Sequence, residues 1–354
     1  MKRNAAMLLT VASLVGLSAC GGGGGETVAP LATASVPQSG TVISGASTTV
    51  VSPYTIDNLP PSTFVAADPR LAMFKTLNLL RIGGGFGALE QSKELDQAAT
   101  SHANYFLANY FVNGEVVPAA GIPQSDGVLL AHTELSGTPG FTGSRPIDRV
   151  TQAGYTSIKS NEVIGFSVGQ APGVEPDVNV CLTSLVNKVF HRAALLDTTM
   201  LNVGFGVSAN SINPNGYKTK VCVINFASKV APSALPTDWT GVYPFEGSTS
   251  APLVMGGEVP DPVPSVSIKG GPISIQSVYP YKLNVGSFNV RDANGQALAS
   301  TILSSTQSPY LRSNEAYLVP TGALKPSTTY QVSFTGTSNS LAINKNWSFT
   351  TAAK

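Results

Sequence analysis

The spacing of apolar residues divides the chain into two parts that must fold differently. Between Leu71 and Ala227, stretches with apolar residues three and four positions apart alternate with runs in which every second residue is apolar. From Ser265 onward only short alternating runs occur, and turn residues such as Asn294-Gly295 separate them. The sequence therefore predicts an α+β unit followed by an all-β sandwich of about ninety residues.

The predicted elements of the first part form a mixed order of helices and strands. Helices are predicted at Leu71–Arg81, Ala88–Phe111, Pro146–Ala153 and Val178–Leu196, and strands at Asn161–Val168, Asn202–Ser208 and Lys220–Ala227. Asp68-Pro69 supplies a cap and a first-turn proline for the first helix. In the second part, strands are predicted at Ser265–Lys269, Ser287–Asp292, Ala316–Pro320, Thr329–Thr335 and Trp347–Thr351.

The N-terminus has the pattern of an export signal. Lys2-Arg3 is a short basic region, and the apolar run Met7–Leu17 is about half of the ~20 residues that span a bilayer. Leu17-Ser18-Ala19-Cys20 resembles the lipobox of bacterial lipoproteins, which predicts residues 1–20 as a signal peptide and Cys20 as the lipidated residue. The alternative is an ordinary signal peptide with small residues at its cleavage site. A lipid on Cys20 would hold the mature chain at the bacterial cell envelope, on the outer membrane or the cell surface.

Changes in composition set the predicted domain boundaries. Residues 21–69 are rich in Gly, Ser, Thr, Ala, Val and Pro with almost no charge, which predicts a flexible tether. Residues 70–231 form the predicted α+β domain, and residues 265–354 the β-sandwich domain. Between them, residues 232–264 are rich in Pro, Gly and Ser and read as a linker, able to pack on the preceding domain through Trp239, Tyr243 and Phe245.

The charge composition argues against one class of partner. The net charge is +1, only 12% of the residues are charged, and no basic block is longer than two residues. Nucleic-acid binding therefore has no electrostatic support.

Two cysteines remain if Cys20 is lipidated. Cys181 lies in a predicted helix and Cys222 in a predicted strand some forty residues later. An exported chain meets an oxidising compartment, which favours a disulfide between them. Two separate buried thiols are the alternative.

The candidate functional residues are two of the three histidines and one glutamate. His132 lies in His132-Thr133-Glu134, Glu162 follows Asn161, and His191 lies at the edge of the apolar face of its predicted helix. Two imidazoles and a carboxylate can hold a divalent metal or relay a proton. The third histidine, His102, falls on the buried stripe of the second helix and is predicted as a core residue with one hydrogen-bond partner.

With these elements placed, residues 71–227 resemble the CAP superfamily (cysteine-rich secretory proteins, antigen 5 and plant pathogenesis-related proteins) in its bacterial SCP-like branch. The resemblance is carried, in order, by Asn78-Leu79-Leu80-Arg81 with the following glycine loop and Leu89, Ala98-Ala99, His102-Ala103-Asn104-Tyr105, His132-Thr133-Glu134, Phe141-Thr142-Gly143, Arg149, Gly154-Tyr155, Asn161-Glu162, Phe190-His191-Arg192, Leu195-Leu196 and Val203-Gly204-Phe205-Gly206.

The resemblance implies an α-β-α sandwich with a central antiparallel sheet and a cleft that commonly carries two histidines and two glutamates. His132, Glu162 and His191 match three of these positions. Asn161-Glu162-Val163 replaces the usual Gly-Glu-Asn, and no acid lies in Thr183–Val189, where the second glutamate is expected. Glu134 is a candidate to stand in for it.

The second part of the chain resembles bacterial Ig-like modules. Leu324–Tyr330 and Trp347–Thr351 are similar to the last strands of such modules. This resemblance implies a β-sandwich and carries no chemistry.

Two functions are compatible with these patterns. The first is an exported, lipid-anchored surface module that binds a small hydrophobic ligand, a protein, or a divalent metal such as zinc held weakly by His132 and His191. The alternative is a metal-dependent, protease-like hydrolase that uses His132, Glu162 and His191. No His-Glu-x-x-His motif occurs in the chain. Gly165–Gly169 matches the G-x-S-x-G pattern of esterases, but the Gly and Pro that follow cannot start the required helix.

Overall fold

A computed structural model describes residues 54–112, 115–116 and 131–354 of the chain. The predicted signal peptide, Cys20 and most of the tether lie outside these residues. No helix of the described part has the length and the apolar character needed to cross a membrane.

The described residues form an α+β fold with several antiparallel sheets. The helices are α1 (Pro69–Gly83), α2 (Lys93–Tyr110), α3 (Pro146–Gln152), α4 (Asn179–Val186) and α5 (Val189–Leu195). The strands before residue 230 are β1 (Glu90–Gln91), β2 (Phe111–Val112), β3 (Glu115–Val116), β4 (Lys159–Val168), β5 (Asn202–Val207), β6 (Ser211–Ile212) and β7 (Lys218–Ser228). Those after it are β8 (Thr240–Tyr243), β9 (Ile273–Ser277), β10 (Leu283–Arg291), β11 (Ser300–Ser304), β12 (Glu315–Pro320), β13 (Thr329–Ser338) and β14 (Leu341–Thr350).

The first sheet has the strand order β1-β5-β7-β4, and β6 also pairs with β7. All its pairs are antiparallel except β1 with β5. Side chains of α2 cover one face with Ile164, Val221 and Val223, whereas α1 and α4 cover the other with Val163, Ile224 and Phe226. Because neighbouring strand residues point to opposite faces, the sheet lies between two helical layers.

Local signals explain where the first two helices begin. The cap predicted at Asp68 is confirmed, since its side chain accepts a hydrogen bond from the backbone N–H of Arg70 and Pro69 occupies the first turn. The second helix begins at Lys93, later than predicted, because Glu90 and Gln91 pair with β5 and Ser92 then caps the helix.

The prediction of one long helix over Val178–Leu196 is wrong. The helix ends at Val186, Lys188 is extended with φ −120° and ψ 145°, and α5 begins at Val189. A carboxylate from a distant segment binds the free N–H groups at the start of α5, a contact that the local sequence does not contain.

A disulfide joins one helical layer to the sheet. Cys181 of α4 and Cys222 of β7 are bonded, with an S–S distance of 2.04 Å across 41 residues of sequence. Both are fully buried in the larger core beside α1. The bond therefore fixes the helix that precedes α5 against the sheet.

The second part of the chain is a β-sandwich of two antiparallel sheets. One has the order β11-β12-β9-β8 and the other β10-β13-β14. Their inner faces enclose a core that includes Ile275, Leu318, Phe334 and Trp347. The predicted strand at Ser265–Lys269 is absent, and the strands β8, β9 and β11 were not predicted.

The segment 232–264, predicted as a linker, belongs to both parts of the molecule. Its residues 240–243 form β8 at the edge of the second part's sheet. Trp239 donates to the carbonyl of Gly85 at 3.0 Å, and Tyr243 joins the core of the first part. Arg192 of α5 donates to the carbonyl of Pro272 at 2.7 Å, so buried contacts connect the two parts directly.

The close approach of α2 to β5 gives a test of the packing. A Cβ at Gly206 would lie 2.1 Å from the backbone carbon of Ala99, so Gly206→Ala must push helix and sheet apart. We expect this variant to lower the free energy of unfolding by about 1–3 kcal/mol or more in urea denaturation. The matched control is Gly322→Ala, whose Cβ would meet no atom within 4 Å. Equal stability of the two variants would contradict the packing of α2 on β5.

Candidate functional site

His132 and Glu162, two of the predicted site residues, form a hydrogen-bonded pair. Glu162 lies in β4, and its register partner Asn225 lies in β7 on the face covered by α2. The Nδ1 atom of His132 lies 2.9 Å from Oε1 of Glu162. The glutamate side chain is fully buried, whereas the imidazole is 23% exposed. The histidine is therefore the member of the pair that a ligand can reach.

Arg149 of α3 neutralises Glu162 from within the protein. Its Nη2 atom donates to both carboxylate oxygens at 2.8 Å. The same guanidinium donates to the backbone carbonyls of His132 and Gly143. Both side chains of the ion pair are fully buried. The guanidinium of Arg149 therefore holds both the carboxylate of Glu162 in β4 and the segment that carries His132.

The remaining contacts of Glu162 keep it ionised. The amide of Asn225 is satisfied on both sides when its nitrogen donates to Oε2 of Glu162 at 2.9 Å and its oxygen accepts from the backbone of Ala99. Burial alone would raise the pKa of Glu162, but the charges of His102 and Arg149 and the hydrogen bond from His132 outweigh it and lower the pKa to about 2. Since an ionised carboxylate only accepts, Nδ1 of His132 is the donor.

Glu134 does not occupy the position of a second cleft carboxylate. It is buried and accepts hydrogen bonds from the backbone N–H groups of Thr142 and Gly143. Its other oxygen lies 2.9 Å from Nδ1 of His102. Nε2 of His102 lies 2.9 Å from the carbonyl of Ala131. His102 is thus a buried core residue with two polar partners, where one was predicted. Glu134 holds the neighbouring loop at Thr142 and Gly143.

His191 is paired with Glu258, a residue to which the sequence pattern assigns no role. Its Nδ1 atom lies 2.6 Å from Oε1 of Glu258, which belongs to the segment predicted as a linker. The imidazole is 13% exposed and the glutamate side chain is fully buried. Burial lowers the pKa of His191, with smaller contributions in the same direction from Lys188 and His132, and Glu258 opposes the shift. His191 therefore stays neutral at neutral pH.

The structure thus brings together part of the predicted set. His132 and Glu162 are in direct contact, and His191 forms no hydrogen bond with either in the described residues. The charge of His132 is the smallest of the named causes that lower the pKa of His191. Each ring has Nδ1 on a buried carboxylate. No hydrogen bond to Nε2 of either ring is formed by the described residues, so Nε2 is the nitrogen that remains for a ligand.

The donor set does not fit a firmly held catalytic zinc. Histidines that bind metals through one nitrogen commonly donate the other N–H to a carboxylate, and both rings have that arrangement. Catalytic zinc, however, takes three protein ligands. Within the described ranges, no group of three or more His, Cys, Asp or Glu side chains is placed to hold an ion. Two Nε2 atoms provide only two ligands.

The serine of the G-x-S-x-G pattern has a structural role. Ser167 lies within β4, is buried, and donates its hydroxyl hydrogen to the carbonyl of Asp177 at 2.6 Å. It does not lie on a strand-to-helix turn, which an esterase nucleophile requires.

A surface groove of about 480 Å³ lies away from the histidines. It runs between the arm at residues 63–65 and the first half of α2, with Asp68, Arg70 and Asp96 among its lining residues. None of His132, Glu162 or His191 lines it. The predicted cleft residues are therefore not part of this groove.

Three residues of the site were not assigned a role from sequence. Arg149 was only one of the residues that carry the family resemblance, and Asn225 sits in a strand whose pattern gives no sign of its contacts. The sequence contains one signal for Glu258, because this residue is the first charged one after Glu246 in an otherwise uncharged stretch. An isolated carboxylate among apolar and glycine residues indicates a buried partner, but it does not identify that partner.

Comparisons with known proteins give a distant structural similarity. No model of a known protein family matches the chain, and no curated protein matches it. Among solved structures, a similar chain is an extracellular protein containing an SCP domain from Bacillus anthracis, with 17% sequence identity and a TM-score of 0.28. The match covers 45% of this chain and 40% of that one, so the chain spans less than half the length of the solved protein.

The role of Arg149 leads to a stability prediction. Arg149→Met removes the cation that neutralises Glu162, so we expect a loss of about 3–5 kcal/mol in the free energy of unfolding, measured in urea. The matched control is Arg145→Met four residues earlier, because its side chain is 73% exposed and, among the described residues, forms an ion pair only with Asp148. An Arg149 variant as stable as this control would contradict the described network.

The low pKa of Glu162 gives a pH prediction. Its contribution to stability is complete above its ordinary pKa of 4.5 and is lost as the pH falls toward 2. We therefore expect the gap in unfolding free energy between wild type and Glu162→Gln, about 3 kcal/mol at neutral pH, to narrow steadily below pH 4.5. Urea titrations at several pH values measure it, with Glu246→Gln as the control. A gap that does not change with pH would show that Glu162 is not held ionised by its partners.

Proposed function

We propose that this chain is an exported, lipid-anchored binding protein of the bacterial envelope, with a CAP-type domain followed by an Ig-like domain. The signal and lipobox pattern ending at Cys20 supports export and anchoring. The order of motifs from Asn78 to Gly206 supports the CAP assignment, as does the sheet enclosed by helical layers. The second β-sandwich supports an Ig-like assignment. In this proposal the first domain takes a small ligand at a cleft bordered by His132 and His191.

The observation that carries the proposal is that both histidines are held in the same way. Each ring has Nδ1 on a buried carboxylate, at 2.9 Å for His132 and 2.6 Å for His191, and each remains partly exposed. Burying two carboxylates to orient the imidazoles has a desolvation cost, but it holds two hydrogen-bonding nitrogens in fixed positions. Such preorganised polar groups are what a small-molecule site uses for specificity.

The surroundings of His191 favour a ligand that is largely apolar. The ring of the adjacent Phe190 lies 5.3 Å from the ring of Tyr310, which is half-exposed. Phe190 also packs against a cluster that contains Val189 and Tyr317. A ligand with an apolar body and a single polar group would match this combination of rings and imidazole.

The hydrolase alternative receives less support from the same contacts. A general base works best with a pKa near the operating pH, and Glu162 at about 2 is far below it. Arg149, Asn225 and His132 also occupy the carboxylate oxygens, which leaves little room for a reacting water. The described residues offer no third ligand for a metal. We therefore favour binding over catalysis.

The proposal is tested on the exported full chain carrying Cys20→Ser, which keeps the protein soluble. The probe is a long-chain alcohol with a pyrene group at its far end, followed by fluorescence. We expect saturable binding that weakens about tenfold or more in His191→Ala, because an oriented hydrogen bond and shape are both lost. We also expect zinc, measured by elemental analysis, at well below one ion per chain.

Two controls make the result decisive. Glu246→Ala changes an exposed glutamate of the same segment, whose side chain bonds only with Ser348 in the described part of the chain, so it should leave binding unchanged. The binding proposal would be overturned if the wild type held stoichiometric zinc and cleaved peptides, and if His191→Ala lost both the zinc and the cleavage. Absence of saturable probe binding to the wild type would also count against it.

A further inference from the structure

Glu258 makes three hydrogen bonds through a single oxygen atom. Oε1 accepts from the backbone N–H of Phe190 at 2.9 Å and from that of His191 at 3.0 Å. The same oxygen lies 2.6 Å from Nδ1 of His191. The carboxylate thus fixes both the start of α5 and the ring that α5 presents.

These contacts determine which ring nitrogen of His191 carries the proton. A backbone N–H can only donate, so Oε1 is already an acceptor twice. A proton on that oxygen would point into the space that these N–H groups occupy. Nδ1 must therefore donate to Oε1, and Nε2 of the neutral ring keeps its lone pair as an acceptor.

The segment that carries Glu258 is held in place by the second part of the molecule. Met255 donates its backbone N–H to the carbonyl of Lys269 at 2.9 Å, and Lys269 forms an ion pair with Asp261 at 2.8 Å. Val263 is buried in one cluster with Val189 of α5 and with Val319 of β12. The position of the Glu258 carboxylate therefore depends on the docking of the β-sandwich.

Packing alone does not account for a glutamate at this position. Oε2 of Glu258 is buried and has no hydrogen-bond partner among the described residues. A buried carboxylate oxygen left in this state is costly, and an apolar side chain would cover α5 without that cost. A glutamate at position 258 is explained if its side chain orients the ring of His191.

We infer that Glu258 is a positioning residue that holds His191 with Nε2 as an acceptor, so that the cleft recognises a hydroxyl group on an otherwise apolar ligand. The β-sandwich and its connecting segment then complete the site instead of acting as a separate module. The ligand part of this inference rests on the proposed binding function. The state of the ring is independent of it.

The ring state is measured by nitrogen-15 NMR on the full chain with Cys20→Ser. The protein has only three histidines, so each ring can be assigned with a single variant such as His191→Gln. We expect His191 to show a protonated Nδ1 and an unprotonated Nε2 at neutral pH. In Glu258→Ala this preference should be lost, while Glu258→Gln, whose side-chain oxygen still accepts, should retain part of it. His132 should keep its signals in both variants.

Glu246→Ala serves as the control and should leave all three rings unchanged. A wild-type His191 protonated at Nε2 would overturn the inference, and that result needs no variant to fold. An unchanged His191 tautomer in a folded Glu258→Ala protein would overturn it as well.

The ligand part is tested by comparing the pyrene-labelled alcohol with its methyl ether, which lacks the donor hydrogen. We expect the wild type to bind the alcohol roughly 2- to 12-fold more tightly, the range that one net hydrogen bond supplies. Glu258→Ala should lose this preference. Equal binding of both probes to the wild type would overturn the inference while leaving the proposed function standing. If neither probe binds, the proposed function and the ligand part fail, and the NMR result alone decides the role of Glu258.

Discussion

The ion pair of Arg149 with Glu162 is the interaction on which the rest of the site depends. A carboxylate buried between a sheet and a covering helix would ordinarily be protonated, because removing its charge from water is costly. The charges of His102 and Arg149 and the hydrogen bond from His132 reverse this preference, and the ionised oxygen then dictates the proton position of His132. The same guanidinium lies 3.7 Å from Glu134, the acid that organises the neighbouring loop. One buried cation therefore supports the strand, the loop and the exposed ring.

His191, like His132, is oriented by a buried glutamate, but this glutamate comes from a different part of the chain. His132 takes its acid from a strand of its own domain, whereas His191 takes it from a segment 67 residues further along the chain. The break between α4 and α5 makes this possible, since it exposes backbone N–H groups that Glu258 binds. The two parts of the molecule also share Arg192, whose guanidinium lies 4.5 Å from the ring centre of Tyr243 and donates to Pro272. Their junction is thus part of the candidate site.

Local signals in the sequence predicted more of the fold than of the site. The cap at Asp68 and the alternation of β4 and β7 involve neighbouring residues, so the printed sequence contains their causes. His132 and Glu162 could be named as candidates from the sequence because imidazole and carboxylate groups serve as metal ligands and acid–base groups, but their hydrogen bond joins residues 30 positions apart. Glu258 could not be assigned, since its partners are set by how the β-sandwich docks. For the same reason the helix break at Lys188 could not be predicted. Glu134 accepts a hydrogen bond from the loop at Thr142, a contact that the sequence pattern does not indicate.

The proposed binding site requires that His132 and His191 face a common cleft, and the effect of the His132 charge on the pKa of His191 measures whether they do. The titration of His191 is followed by NMR in the wild type and in His132→Gln, with Glu246→Gln as the control. Because the charge of His132 lowers the pKa of His191, its removal should raise that pKa. An unchanged His191 titration in the folded His132 variant would place the two rings in separate environments and contradict the account.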